Sequence, residues 1–170
     1  MATVADGLPP ENRRPGRTIA VSQFTIVIEV NASPGSVFGY IADGTRAPEW
    51  YEAVRSVRAL TDGPIGRGTR YLFTRALPQG QVDNEVEITE FDSPTLVTFT
   101  SVTGATPFVY RYRVEPDGSG ARVSLEGEIS GGGLRGPVAL LSPIAGRLFA
   151  RGMRANLRAL QARLERRPGP

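Results

Sequence analysis

The chain contains no cysteine and no histidine, and its 20 basic residues are all arginine, so lysine is missing as well. These absences remove whole chemistries. There is no Cys or His nucleophile, no Ser-His-Asp triad, no lysine Schiff base, no zinc site built on His or Cys, and no disulfide. No metal and no other cofactor is expected, and acid–base work falls to Asp, Glu, Tyr or a bound water. Arginine stays protonated, so it serves anion pairing, stacking and solvation rather than proton transfer. Long apolar runs are also missing: nothing approaches the ~20 residues that a membrane-spanning helix needs. No apolar segment after Met1 reads as a secretory signal, and the expectation is a cytoplasmic protein.

The charge balance is mild. A formal net charge of +3 comes from 20 arginines interspersed with 17 carboxylates, which gives no concentrated basic face of the nucleic-acid-binding kind, and no nucleic-acid partner is expected. A length of 170 residues suits one domain. Residues 1–22 carry Pro9, Pro10, Pro15, Gly7 and Gly16 among charges and read as a flexible tail, leaving residues 23–167 as the domain.

Within that domain the pattern changes twice. Phe24, Ile26, Ile28 and Val30 alternate with Thr25 and Glu29, which predicts a strand over Gln23 to Val30. Ser33 then stands as a helix N-cap before Pro34, and Val37, Phe38, Tyr40 and Ile41 give a short helix its apolar face before Asp43-Gly44 stops it. From Val54 to Ile129 five or six strands follow, cut by the turn chemistry of Asp62-Gly63-Pro64, Pro78-Gln79-Gly80, Asp92-Ser93-Pro94 and Pro116-Asp117-Gly118. With no helix between them, they predict an antiparallel meander. Gly63-Pro64-Ile65-Gly66-Arg67-Gly68 leads into a strand, so it fails as a phosphate loop.

After the joint Gly131-Gly132-Gly133, Ser142-Pro143 opens a long helix to about Arg166. Its apolar stripe runs through Ile144, Leu148, Phe149, Met153, Leu157, Leu160 and Leu164, with Asn156 inside it. Such a stripe must be buried, and a curved sheet offers the surface.

The segments IEVNASPGSVFGYIAD, APEWYEAVRSVRAL, GPIGRGTRYLF, VEITEFDSP and RGMRANLRALQARL, taken in this order, resemble the SRPBCC superfamily. That superfamily includes START-type lipid-binding domains and the polyketide cyclase/dehydrase and lipid transport-like proteins. The resemblance implies an α+β helix-grip fold, in which a curved antiparallel sheet of six or seven strands wraps a long C-terminal helix around a cavity. It also implies a hydrophobic small-molecule ligand, such as a lipid, quinone or polyketide.

Alternate positions then give an inward-facing set: Tyr71 and Phe73, Val86 and Ile88, Val97 and Phe99, Phe108, Tyr110 and Tyr112, then Val123, Leu125 and Ile129. Trp50, the only tryptophan, reads either as a stacking platform with Tyr51 at the cavity mouth or as a plug in the core. Phe149, Met153 and Asn156 face the cavity from the helix.

Two charges bear on catalysis. Arg75 and Glu90 point inward if their strands hold register, and a one-residue bulge reverses that facing. Polyketide aromatase/cyclases carry an interior arginine on the strand that matches VEITEF, where this chain has Glu90. An enzymatic alternative to binding has Glu90 abstract a proton alpha to a carbonyl while Arg75 or a tyrosine stabilises the enolate. Arg147, Arg151, Arg154 and Arg158 recur along the outer helix face, either as a solvated face or as a contact for anionic membrane.

Overall fold

The computed structural model describes residues 20–77, 80–104, 107–130 and 142–166. The strand β1 spans Ala20–Val30, three residues ahead of the expected start at Gln23, and the rest of the expected tail lies outside the described residues. The helix α1 is Pro34–Ala42, with Ser33 as N-cap: its hydroxyl accepts from the Ser36 N–H at 3.3 Å, and Pro34 takes the first turn, where no donor is needed. Asp43 ends α1 and starts a 3-10 helix, Gly44–Glu49, by accepting from the Thr45 N–H at 3.1 Å.

Six strands then run as a meander: β2 Val54–Ala59, β3 Arg70–Leu77, β4 Gly80–Asp92, β5 Leu96–Ser101, β6 Phe108–Asp117 and β7 Gly120–Ser130. All neighbours pair antiparallel, and β1 joins beside β7, giving the order β1-β7-β6-β5-β4-β3-β2. The Gly131–Gly133 joint lies outside the described residues. The helix α2 runs Ser142–Glu165, beginning at the residue that the sequence reads as its cap. Together these elements make a helix-grip α+β fold.

The core lies between the inner face of the sheet and α2. Every member of the expected inward set is buried, Ile88, Val97, Val123 and Leu125 completely. Met153, Leu157, Leu160 and Leu164 bury the opposing stripe of α2, and each large apolar side chain so covered contributes about 1.5–3 kcal/mol. Two polar ties fix the C-terminal end of α2. Glu165 accepts from the Asn31 N–H at the end of β1 (3.1 Å), and Arg163 donates to Glu49 (2.7 Å), which also accepts from the Tyr40 hydroxyl.

At Gly127 a close approach requires glycine. Gly127 of β7 pairs with Phe24 of β1, whose ring lies where a Cβ would be, 2.2 Å from Cζ. The bare backbone lets that ring cross the strand and meet Tyr110 at 6.2 Å between centroids.

On the outer face, Arg111 bridges Glu90 at 2.7 Å and Glu126 at 3.8 Å, and Glu128 accepts from Gln23. No helix among the described residues is long and apolar enough to cross a membrane.

Candidate functional site: a two-part cavity with an arginine at its waist

Regular alternation on β3 sends Tyr71, Phe73 and Arg75 to the inner face, and on β4 it sends Asn84, Val86 and Ile88. Of these, Phe73, Arg75 and Val86, with Phe99 of β5 and Phe108, Tyr110 and Tyr112 of β6, wall a space closed above by Ile41 of α1, Gly44 and Ala47 of the 3-10 helix, and Trp50. This inner compartment measures about 30 Å³, room for a water or a small group.

A second, more open compartment of about 300 Å³ lies between the start of β2 and α2. Glu52, Arg55, Phe149, Gly152, Met153 and Asn156 line it. Four residues wall both spaces: Tyr51, Arg75, Phe108 and Tyr110. Arg75 therefore stands at the waist between a tight aromatic chamber and a roomier vestibule.

The guanidinium is buried, with 8 % of the residue exposed. Its Nε and Nη2 donate to Asn84 Oδ1 at 3.0 and 2.5 Å, and its Cζ lies 5.6 Å from the Phe108 ring centroid. Among the described residues no carboxylate comes within 4.0 Å of it. The cavity tyrosines stay protonated. Burial pushes Tyr112 and Tyr110 well above the ordinary phenol range, and it raises Tyr51 against the opposing pull of Tyr110 and Arg75. At neutral pH these hydroxyls offer hydrogen bonds and take no proton.

Eight of the residues expected to meet a ligand do line the inner compartment: Trp50, Tyr51, Phe73, Val86, Phe99, Phe108, Tyr110 and Tyr112. Trp50 is buried, with only 6 % of the residue exposed, and its indole stacks on Tyr51 at 6.1 Å. Its Nε1 donor has no partner among the described residues. Met153 and Asn156 line the vestibule, where Asn156 Oδ1 accepts from the Glu52 N–H at 3.2 Å and so ties α2 to the turn before β2.

Four expectations need correction. Tyr71 and Ile88 are buried but line neither compartment. The Tyr71 ring is pressed against the Gly44 backbone, where a Cβ would stand 2.9 Å away, and Ile88 is wholly enclosed within the sheet. Phe149 is 41 % exposed at the vestibule rim, so the stripe of α2 is not buried throughout. The side chains of Ile144 and Leu148 lie outside the described set.

Glu90 faces outward. β4 carries an extra residue at Thr89: Ile88 pairs with Phe99, but Glu90 pairs with Thr98, and the bulge reverses the facing beyond it. Phe91 turns inward onto Phe38 in its place. Glu90 instead accepts from Thr98 and Arg111, and these bonds lower its pKa, opposite to what a buried base requires.

The sequence reading missed Asn84 and the roof of Ile41, Gly44 and Ala47. Asn84 was within reach, because the inward series Ile88, Val86 extends back to it in steps of two.

Residues 22–165 match the family model described as polyketide cyclase / dehydrase and lipid transport. The chain belongs to that family. Solved structures share the fold of this family member at low identity. A protein of Thermus thermophilus, TTHA0849, is 20% identical with a TM-score of 0.70, over 84% of this chain and 96% of that one. A START superfamily protein from Mycobacterium smegmatis is 14% identical with a TM-score of 0.70, over 84% and 97%. The di-domain ARO/CYC BexL from the BE-7585A biosynthetic pathway is 16% identical with a TM-score of 0.66, over 86% of this chain and 50% of that one. Among curated proteins none matches the sequence.

Proposed function

We propose that this family member binds a hydrophobic small molecule of lipid, quinone or polyketide-like character, lying across the waist of the cavity with an oxygen at Arg75. The observation that carries the reading is the buried guanidinium itself. It shares walls with an aromatic chamber and a vestibule of about 300 Å³, and no carboxylate among the described residues neutralises it. A buried cation without a counter-charge is costly to the fold, so a site that keeps one has a use for it. Aromatic walls supply the apolar contact, and the protonated Tyr51 and Tyr110 supply further donors beside the guanidinium.

Binding is favoured over the cyclase or dehydratase alternative. That alternative relied on Glu90 as a base inside the cavity, and Glu90 lies on the opposite face of the sheet, its pKa lowered by hydrogen bonds from Thr98 and Arg111. Among the described residues the one carboxylate on either compartment is Glu52, exposed at the vestibule.

Native mass spectrometry of protein purified from its own host tests the reading together with a fluorescence titration. Trp50 is the only tryptophan and stacks on Tyr51, which walls both compartments, so its emission reports occupancy at the waist. A co-purifying ligand, or saturable one-to-one quenching by 2-naphthoate, is the expected result. A protein that is ligand-free from its host and blind to such ring compounds overturns it.

A further inference from the structure

Arg75 is held by a neutral amide, in a place where proteins ordinarily use a carboxylate. Asn84 is 1 % exposed. Its Nδ2 donates to the Thr103 carbonyl at 2.9 Å, which fixes which way the amide faces and leaves Oδ1 to accept from both Nε and Nη2 of Arg75. The turn after β5 is built around that amide. Gly104 takes φ +120, and a Cβ there would stand 1.7 Å from Asn84 Nδ2, so only glycine leaves room. Thr103 is anchored in turn, its Oγ1 accepting from the Glu85 N–H at 3.1 Å.

The consequence is electrostatic. An aspartate at this position would present an oxygen to the same two donors, but it would cancel the guanidinium charge. Asparagine orients the group and leaves the charge uncompensated, with the guanidinium still walling both compartments beside Tyr51.

We propose that Asn84 is a positioning and specificity-determining residue that keeps Arg75 both oriented and cationic, and that the ligand therefore carries an anionic oxygen, a carboxylate or an enolate. The inference rests on the reading that Arg75 meets the ligand.

A shape-matched probe pair that differs in charge separates the two. Titrated against Trp50 emission, wild-type protein is expected to bind 2-naphthoate at least tenfold more tightly than its neutral isostere 2-naphthamide, because a hydrogen bond to a charged group is the stronger kind. Asn84→Asp is expected to erase that preference while holding 2-naphthamide affinity within threefold. Asn84→Ala keeps the positive charge but frees the side chain, so it is expected to weaken 2-naphthoate binding about threefold to tenfold and still prefer the anion. This ordering is one that a merely structural role would not produce, and either variant alone decides if the other fails to fold.

Arg75→Met is expected to erase the preference as well. If Arg75→Met behaves so and Asn84→Asp retains the wild-type preference, the role of Asn84 is overturned and the ligand reading stands. If the wild type binds both probes equally and Arg75→Met changes nothing, the reading of Arg75 falls, and the Asn84 inference falls with it.

Discussion

Replacing Arg75 with methionine separates what the guanidinium does for the fold from what it does for a ligand, and the two effects can be sized. The wild-type residue is buried and lacks a carboxylate partner among the described residues, so its removal returns the desolvation cost of one ion, which in proteins amounts to several kcal/mol. The vestibule of about 300 Å³ beside it reduces that figure, because water in that space still solvates one side of the group. Against the gain stand two losses. Asn84 Oδ1 is left without its donors, at about 1–3 kcal/mol, and the contact with the Phe108 ring goes, at about 0.5–1 kcal/mol. Methionine retains the apolar stem and adapts to the space.

The terms nearly cancel, so the stability change is expected to stay within about 2 kcal/mol of zero, a Tm shift of under about 8 °C for a chain of this size. Affinity for 2-naphthoate is expected to fall at least tenfold in the same protein. Calorimetry and the Trp50 titration measure both. An arginine belonging to a structural ion pair behaves otherwise, since breaking a buried pair costs about 3–5 kcal/mol. A fall in Tm beyond about 10 °C with affinity unchanged would therefore refute the argument, because it would make Arg75 a framework residue.

Glu90→Gln is expected to leave 2-naphthoate affinity within twofold and to cost under about 1 kcal/mol, as befits a half-exposed pair; a tenfold loss of binding would put Glu90 back in the cavity. Glu49 and Glu90 both have pKa values lowered chiefly by hydrogen bonds to their charged forms, so their stabilisation is present above the unfolded-state value of about 4.3 and is lost as pH falls through the lower folded values. Chemical denaturation across acid pH checks this: the double variant E49Q/E90Q is expected to lose less stability than wild type below about pH 4, and parallel curves would contradict it. Gly127→Ala places a methyl inside the Phe24 ring and is expected to cost about 1–3 kcal/mol, mostly abolished when Phe24 is already alanine; additive losses in the double-mutant cycle would show that the contact is not the cause. For the outer face of α2 we propose weak attraction to anionic lipid, since Arg147, Arg151, Arg154 and Arg158 are exposed and bridge no carboxylate among the described residues. At about 1 kcal/mol per arginine, sedimentation with phosphatidylglycerol vesicles is expected at low salt, with release at high salt and loss in R151E/R154E; equal binding to neutral vesicles would exclude it.

The inner face of the sheet was legible because side-chain direction in a regular strand follows from counting. Tyr71, Phe73 and Arg75, or Phe108, Tyr110 and Tyr112, need only an unbroken period of two. Glu90 shows where counting stops. Along β4 the inward-facing apolar residues fall at Val86, Ile88 and the partly buried Phe91, and the step of three is the trace of the bulge at Thr89. An apolar series read in twos passes over that step, and every side chain after it is assigned to the wrong face. Asn84 was missed for a different reason. It continues the inward series backwards, but a polar side chain inside an apolar one is recognisable as a positioning group only once the partner strand brings Arg75 beside it.

The division of the cavity follows from quantities that periodicity does not carry. Alternation reports on which side of a sheet a ring lies, and it is silent on how far neighbouring rings fill the space between them. Here seven aromatic side chains converge on one chamber: Trp50, Tyr51, Phe73, Phe99, Phe108, Tyr110 and Tyr112. They stack and tilt against one another at about 6 Å between many of their centroids, and the room left is about 30 Å³. No ring-sized molecule enters such a space unless a side chain turns. A ligand of that size therefore lies mainly in the vestibule and reaches inward with a small group. Tyr51, Arg75, Phe108 and Tyr110 are the residues it must pass in doing so. That passage is why the proposed discrimination by charge, set at Arg75 by a neutral Asn84, would have more consequence than the shape of the aromatic chamber beyond it.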